Sequence, residues 1–312
     1  MNILITRHDK IGDFVTSLPL FYVVKRSKPD ARIYALVSKV NVDLAREIDF
    51  IDEVILYDKF NFWQTLRRVK SANIAVSISA FIDTRLGWLL FLSGIKTRIA
   101  PATKIAQIFF NKTIKQKRSL VEKTEVEYNL DLAKLLDRNS SISYQKPLLN
   151  LENNKRFRID NNLKNEKIVL FHPGYGGSSD GNISLDDYID LAETVRMFDN
   201  VKVVWVFGPD DSNTKDQIKR LILNSDIIYN PVSILDYCFL IRDSELLIST
   251  STGPMHLAGM ININTISFFG SNLFASPKRW STVSDASKQN NFIINDSFNL
   301  DNVKEVLFKV LC

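Results

Sequence analysis

Cysteine is almost missing from this chain of 312 residues, with Cys238 and Cys312 as its whole complement. Two distant thiols are too few for a disulfide framework and have no metal-ligand spacing, so a reducing cytoplasm is the simplest setting and two inert thiols the simplest reading. Long apolar runs are also lacking. The longest, Leu86 to Ile95, is too short for a bilayer span, which takes roughly 20 residues. Arg7, Asp9, Lys10 and Asp13 interrupt the N-terminus before any apolar leader segment can form, so the chain is expected to stay on the side of the membrane where it is made. The first loop, Arg7-His-Asp-Lys-Ile-Gly-Asp13, lacks the G-x-G-x-x-G fingerprint that lets a pyrophosphate approach, which disfavours a nicotinamide-dependent dehydrogenase. There is no short-period repeat and no low-complexity tract.

The chain does have abundant apolar side chains, 45% of the total, and a length beyond that at which one core usually stops growing. Two domains are the expectation. Charge divides along the same line: 24 Lys and Arg face 15 Asp and Glu in residues 1–150, against 16 and 20 in 151–312, or +9 and −4. The first half is therefore suited to something anionic: a membrane surface, a phosphorylated substrate or nucleic acid.

Strand-like runs alternate with helical ones. Asn2 to Thr6 reads as a buried strand, followed by a helix to about Lys25 with Phe14, Leu18 and Tyr22 on its apolar face. Further strands are expected at Ala31–Val37, Glu53–Leu56, Ile74–Ile78 and Lys96–Ile99. Asn150 to Glu166, rich in Asn, Lys and Glu, has the composition of a linker. A second series then places strands at Lys167–Phe171, Val201–Phe207, Ile227–Tyr229, Leu246–Ile248 and Thr265–Phe269, with helices between them. The pattern predicts an α/β protein of two Rossmann-like domains, 1–155 and 156–312, facing each other across a cleft. The last helix is left open to pack back on the first domain.

Asp13 lies where the first strand hands over to the first helix, the usual ligand edge of a parallel sheet. It could be a general base, with Gly12 admitting close backbone approach, or a carboxylate favoured by the helix N-terminus and nothing more. Lys167 to Ser179 runs a strand into a loop holding Gly174, Gly176, Gly177, Ser178 and Ser179, which suits a phosphate cradle or a surface turn. Ser249-Thr-Ser-Thr-Gly-Pro-Met-His-Leu-Ala258 sets a hydroxyl-rich turn on a helix start, with Pro254 at a favoured position. Its Thr252 and free N–H groups suit a diphosphate, and His256 is either part of that site or a satisfied structural histidine. Asp211, in Gly208-Pro-Asp-Asp211, could grip ribose hydroxyls or simply close a turn and cap a helix.

Ile11-Gly-Asp-Phe with Leu18-Pro19, His172-Pro-Gly-Tyr-Gly-Gly-Ser, and Thr252-Gly-Pro-Met-His-Leu-Ala follow one another in an order that resembles the heptosyltransferases of glycosyltransferase family 9. These enzymes move heptose from ADP-heptose onto the growing lipopolysaccharide core. The resemblance implies a GT-B fold and an inverting mechanism without a metal or other cofactor. It also implies an acceptor held by the N-terminal domain and an ADP-sugar held by the C-terminal one. Asp13 then looks like the catalytic base, with an acceptor set of Gly12, Lys10 and Arg98. Gly176, Gly177, Ser178, Asp211, Thr252, Gly253, Pro254 and His256 match the donor side, and Ser251 takes its place among them by position. Two departures fall there: Ser251 stands where the family commonly has Asp, and Ser179-Asp-Gly-Asn-Ile183 lacks the Lys or Arg that commonly follows the Gly-rich loop. They motivate an alternative, a family member that binds nucleotide-sugar or glycan but has lost catalysis.

No acidic residue occurs between Asp83 and Glu122, a stretch that holds eight cations among Trp88, Phe91, Phe109 and Phe110. It suits an anionic lipid-linked acceptor at the cytoplasmic face of the inner membrane, or else a solvated helix face whose aromatics are core. Nucleic acid fits the charge alone, but the phosphate-binding signals lie in the acidic half, which speaks against it.

Overall fold

The structure, a computed structural model, describes residues 1–152, 154–174 and 181–312. Asn2–Arg7 forms β1, and five of its six residues are buried. Burial on both faces, rather than alternation, is the mark of a strand inside a helix-covered parallel sheet. The chain continues through α1 (Ile11–Ser27), β2 (Arg32–Val37), α2 (Val42–Arg46), β3 (Glu53–Leu56), α3 (Phe62–Ser71) and β4 (Val76–Ser79). It then passes α4 (Thr84–Leu92), β5 (Thr97–Pro101), a 3₁₀ turn at Ile105–Phe109, β6 (Lys112–Ile114) and α5 (Glu125–Leu136). Every pairing is parallel, and the order is β3-β2-β1-β4-β5-β6. Strand order reverses between β1 and β4, where such sheets hold their ligands.

A second compact unit repeats the design. It holds α6 (Arg156–Asp160), β7 (Lys167–His172), α7 (Leu185–Arg196), β8 (Val201–Val206), α8 (Ser212–Ile218), β9 (Ile227–Tyr229) and α9 (Ile234–Arg242). After these come β10 (Leu246–Thr250), α10 (Gly253–Ile261), β11 (Asn264–Gly270), α11 (Pro277–Trp280), β12 (Gln289–Ile294) and α12 (Leu300–Leu311). The order β12-β11-β10-β7-β8-β9 is again parallel throughout and reverses between β7 and β10. Both units are thus doubly wound α/β domains. Reciprocal capping boxes, Thr124 with Glu127 at α5 and Ser184 with Asp187 at α7, fix two of the helix starts.

The units divide at Met1–Leu149 and Asn150–Cys312. The segment expected as a linker carries α6, whose Phe157 is buried against the Tyr229 ring. Arg158 pairs with Asp243 at 2.6 Å, and Arg242 donates to the Glu152 carbonyl, so this segment belongs to the second unit from its start. The terminal helix, too, is built into the second unit. Val303, Leu307 and Leu311 of α12 enter the second domain's own core beside Tyr188, Trp205 and Phe268, and Lys304 pairs with Asp190 of α7. Two edge strands, β6 and β12, also went unforeseen: Lys112-Thr-Ile is too short and polar to read as strand, and β12 opens on the polar Gln289-Asn-Asn before its Phe292-Ile-Ile run.

Candidate active site

Arg7 ends β1 as a cation only 3% exposed, and a buried charge of this kind demands partners. Its Nε donates to Asp9 Oδ1 at 2.8 Å, one Nη donates to Asp13 Oδ1, and the other reaches the Ala80 carbonyl beyond β4. Asp13 lies in the first turn of α1, but Lys10 is the N-cap and no side chain caps the helix. The carboxylate therefore faces Arg7 at the switch point of the first sheet and does not serve as a cap. Burial pushes the Asp13 carboxyl above its ordinary range; Arg7 opposes this, and Asp9 and Glu125 add to it. Glu125, 1% exposed, is held by Arg118 at 2.7 Å. A carboxylate so placed is partly desolvated, raised in basicity and aimed by a fixed cation, as a general base should be.

Arg7 thus acts on Asp13 as a positioning residue that sequence reading missed; its signal was a lone cation ending an apolar strand. Asp13 can accept a proton only when ionised, and Arg7 favours the ionised form. Arg7→Met is therefore expected to raise the Asp13 pKa further and move the acid limb of kcat/KM to higher pH, whereas Arg7→Lys should move it less. An acid limb unmoved in Arg7→Met, measured from pH 4 to 8 on folded protein, would show that Arg7 does not tune the base.

The expected acceptor residues separate. Gly12 adjoins Asp13 within α1, and Lys10 is exposed at its start. Arg98 is a correction. It is the second residue of β5, pairing in register with Ser77, and Ser77 with Leu4, so it sits near the start of the strand and well short of the edge where Asp13 lies. Its Nε donates to the Phe109 carbonyl at 2.6 Å, one Nη donates to the Ile95 carbonyl before β5, and the guanidinium covers the Phe91 ring. Those donors hold β5 against the 3₁₀ turn.

In the second domain Gly176, Gly177 and Ser178 lie outside the described residues. The Thr-Gly-Pro turn follows β10 at the second switch point. Thr252 is the N-cap of α10 with no side-chain cap bond, and Pro254 occupies the first turn. Among the described residues no side chain covers the N–H groups of Gly253 and Met255, so the positive end of a helix dipole faces the sheet edge. The Thr252 hydroxyl makes only a long contact, 3.4 Å, to the Thr250 carbonyl. Ser251 donates its N–H to Phe268 and is half-buried.

His256, 4% exposed, packs edge-on to Trp280, and burial lowers its pKa to about 4. A neutral ring at pH 7 follows, with Nδ1 unpartnered among the described residues.

Asp211 sits at the N-cap position of α8 without capping it. Its Oδ2 accepts from the Gly208 N–H at 2.7 Å and closes the Gly208–Asp211 turn. His172 Nε2 lies 3.8 Å from the same oxygen, while its Nδ1 is 3.0 Å from the Val206 carbonyl and donates there. An added Cβ on Gly174 would come 2.1 Å from Asp211 Oδ1, so that oxygen abuts the entry to the Gly-rich stretch. Asp211 is thus fixed by the Gly208 N–H, and His172 only flanks it, a proximity invisible in sequence because 39 positions separate the two.

A family model described as glycosyltransferase family 9 (heptosyltransferase) matches residues 62–306. A candidate glycosyltransferase of Haemophilus influenzae is 35% identical over 302 residues, covering 92% of this chain and 87% of its own length. Lipooligosaccharide heptosyltransferase 2 of Campylobacter jejuni is 22% identical over 291 residues, covering 90% and 84%. Among solved structures, the E. coli ADP-heptose lps heptosyltransferase II superposes with a TM-score of 0.82 at 15% identity over 100% of this chain and 98% of that one. That likeness gives the fold, the GT-B type. A chain with two such sheets, a base-like carboxylate at one switch point and an uncapped helix start at the other, matched along most of its length by this model, belongs to glycosyltransferase family 9, the heptosyltransferase family, and is a glycosyltransferase.

Proposed function

We propose that the protein transfers heptose, or a closely related sugar, from an ADP-sugar to an anionic, lipid-linked core oligosaccharide, with inversion and without a metal ion, on the cytoplasmic side of the inner membrane. The observation that carries this reading is Asp13: a carboxylate raised in basicity by burial, fixed by Arg7 and set at the sheet edge where the first domain would hold its ligand. An acceptor hydroxyl attacks the anomeric carbon as Asp13 takes its proton. The bond from that carbon to the diphosphate oxygen breaks, and the electron pair leaves on ADP. Charge developing on the leaving diphosphate meets the Gly253 and Met255 N–H groups and the Thr252 hydroxyl at the start of α10. His256, buried and neutral, lies within the first turn of that helix, and Asp211, held by Gly208 and flanked by His172, is placed for ribose hydroxyls. Similarity to the lipooligosaccharide heptosyltransferase 2 of Campylobacter jejuni supports heptose as the sugar, and the likeness to the E. coli ADP-heptose lps heptosyltransferase II supports ADP as its carrier.

The test offers purified protein a panel of nucleotide-sugars with a truncated core acceptor, and identifies by mass spectrometry the donor consumed and the product formed. Consumption of ADP-heptose with stoichiometric ADP and a product one heptose heavier is expected. Nucleotide binding in calorimetry with no diphosphate released from any donor would overturn the reading in favour of a binding protein.

A further inference from the structure

Residues 59–121 contain twelve Lys and Arg and one acid, Asp83, which is itself engaged by His8 at 2.7 Å. Folding brings most of this stretch together. Helices α3 and α4 pack side by side and the 3₁₀ turn at Ile105–Phe109 packs on α4, so tightly that a Cβ on Gly87 would collide with the Phe109 ring. The Arg85 guanidinium covers Phe62, and Trp88 lies 4.8 Å from Phe109, which joins the three segments into one surface.

That surface is not finished as a solvated face. Ile105 and Ile108 are 84% and 72% exposed, Trp63 65%, Phe91 50% and Trp88 47%. Of the aromatics in the basic stretch, Phe110 is core and Phe109 is partly buried, but Trp88 and Phe91 are outside. Aromatic and aliphatic side chains standing among cations are the composition of a surface that sits at a lipid headgroup boundary, with rings and aliphatics entering the acyl margin and cations meeting phosphates. The charge selects the occupant: a second copy would set one basic face against another, and nucleic acid would leave two nearly bare isoleucines in water. The surface also adjoins the Asp13 edge, because α4 starts directly after β4, its N-cap Asp83 is bonded to His8, and Lys104 stacks on Phe81.

We propose that the α3–α4–3₁₀ face of the first domain docks onto an anionic bilayer, with Ile105, Ile108 and Trp88 entering the interface and Lys104, Lys112 and Lys115 meeting lipid phosphates. It deepens the reading of a lipid-linked acceptor by naming the surface that brings Asp13 to the membrane. No helix among the described residues is long and apolar enough to span a bilayer, so this contact is peripheral.

Vesicle binding of the full chain, without donor or acceptor, keeps the test separate from catalysis. Sedimentation with phosphatidylglycerol-containing vesicles should retain the protein, and pure phosphatidylcholine vesicles should retain at least tenfold less. Ile105→Ser with Ile108→Ser should weaken partition about tenfold, and Lys112→Gln with Lys115→Gln ~10- to 30-fold with a shallower salt dependence. Both pairs are exposed, so melting temperatures should not move, and the isoleucine pair should turn over a delipidated acceptor at the parental rate. Trp88 emission should shift blue on binding and be quenched by brominated lipid, and the shift should vanish in Trp88→Phe. Equal retention on neutral vesicles, undiminished binding of the isoleucine variant, or retention on heparin with none on vesicles would each overturn the proposal. Vesicle binding in a protein that transfers no sugar would leave it standing while removing the reading of the active site.

Discussion

Asp13→Asn is expected to lower kcat ~10²- to 10⁴-fold, the usual worth of a positioned general base, with little change in KM for either substrate. Asparagine keeps the size of the side chain and an acceptor oxygen for Arg7, and Arg7 retains its 2.8 Å pair with Asp9. The fold should therefore survive, and the loss should be one of proton transfer. ADP release under saturating donor and acceptor measures it, with a melting curve as the check on folding. Turnover near the parental rate in the folded variant would mean that the acceptor proton leaves by another route. Because burial and the Asp9 and Glu125 carboxylates lift the Asp13 pKa, the parental enzyme should lose kcat/KM on acidification at a pH above the range of an ordinary aspartate. The Asn variant should lose that limb altogether.

The second large effect is structural and falls on the donor domain. Gly181→Ala places a Cβ 2.1 Å from the Gly270 nitrogen and 2.2 Å from the Phe269 carbonyl carbon. Both are backbone atoms at the end of β11, so no side-chain rotation relieves the collision. The Gly181 carbonyl also accepts the buried Thr250 hydroxyl at the end of β10. Separating these segments should destabilise the domain by about 3 kcal/mol, the upper part of the range for overpacking. It should also raise KM for the nucleotide-sugar, since Gly181 lies between the Gly-rich stretch and the strand that leads into Thr252. Gly94→Ala provides the contrast. Its φ of +77° strains an alanine, but nothing lies within 4 Å of the added carbon, so the cost should stay near ~1 kcal/mol. Urea denaturation of the two variants measures the difference, and a Gly181→Ala protein as stable as the Gly94→Ala one would show that the β11 backbone yields.

Local order along the chain carried the architecture. Apolar runs buried on both faces read as parallel strands, and Pro254 marked the start of α10. Asp13 and the Thr252 turn were legible for the same reason, since strand-to-helix junctions place their residues at the ligand edge whatever the rest of the chain does. The signals failed where a residue's meaning depends on a distant partner. Arg98 read as an acceptor cation on charge alone, yet register puts it near the start of β5 with its donors on the Ile95 and Phe109 carbonyls. Arg7 gained its role from burial beside Asp9 and Asp13, and Asp211 its fixed place from the turn it closes on Gly208. Trp88 and Phe91 looked like core until the packing of α4 on the 3₁₀ turn left them outside. Periodicity and turn chemistry are properties of neighbours in sequence, so they specify where a site lies. Burial, charge pairing and basicity belong to neighbours in space, and only the folded chain decided what that site can do.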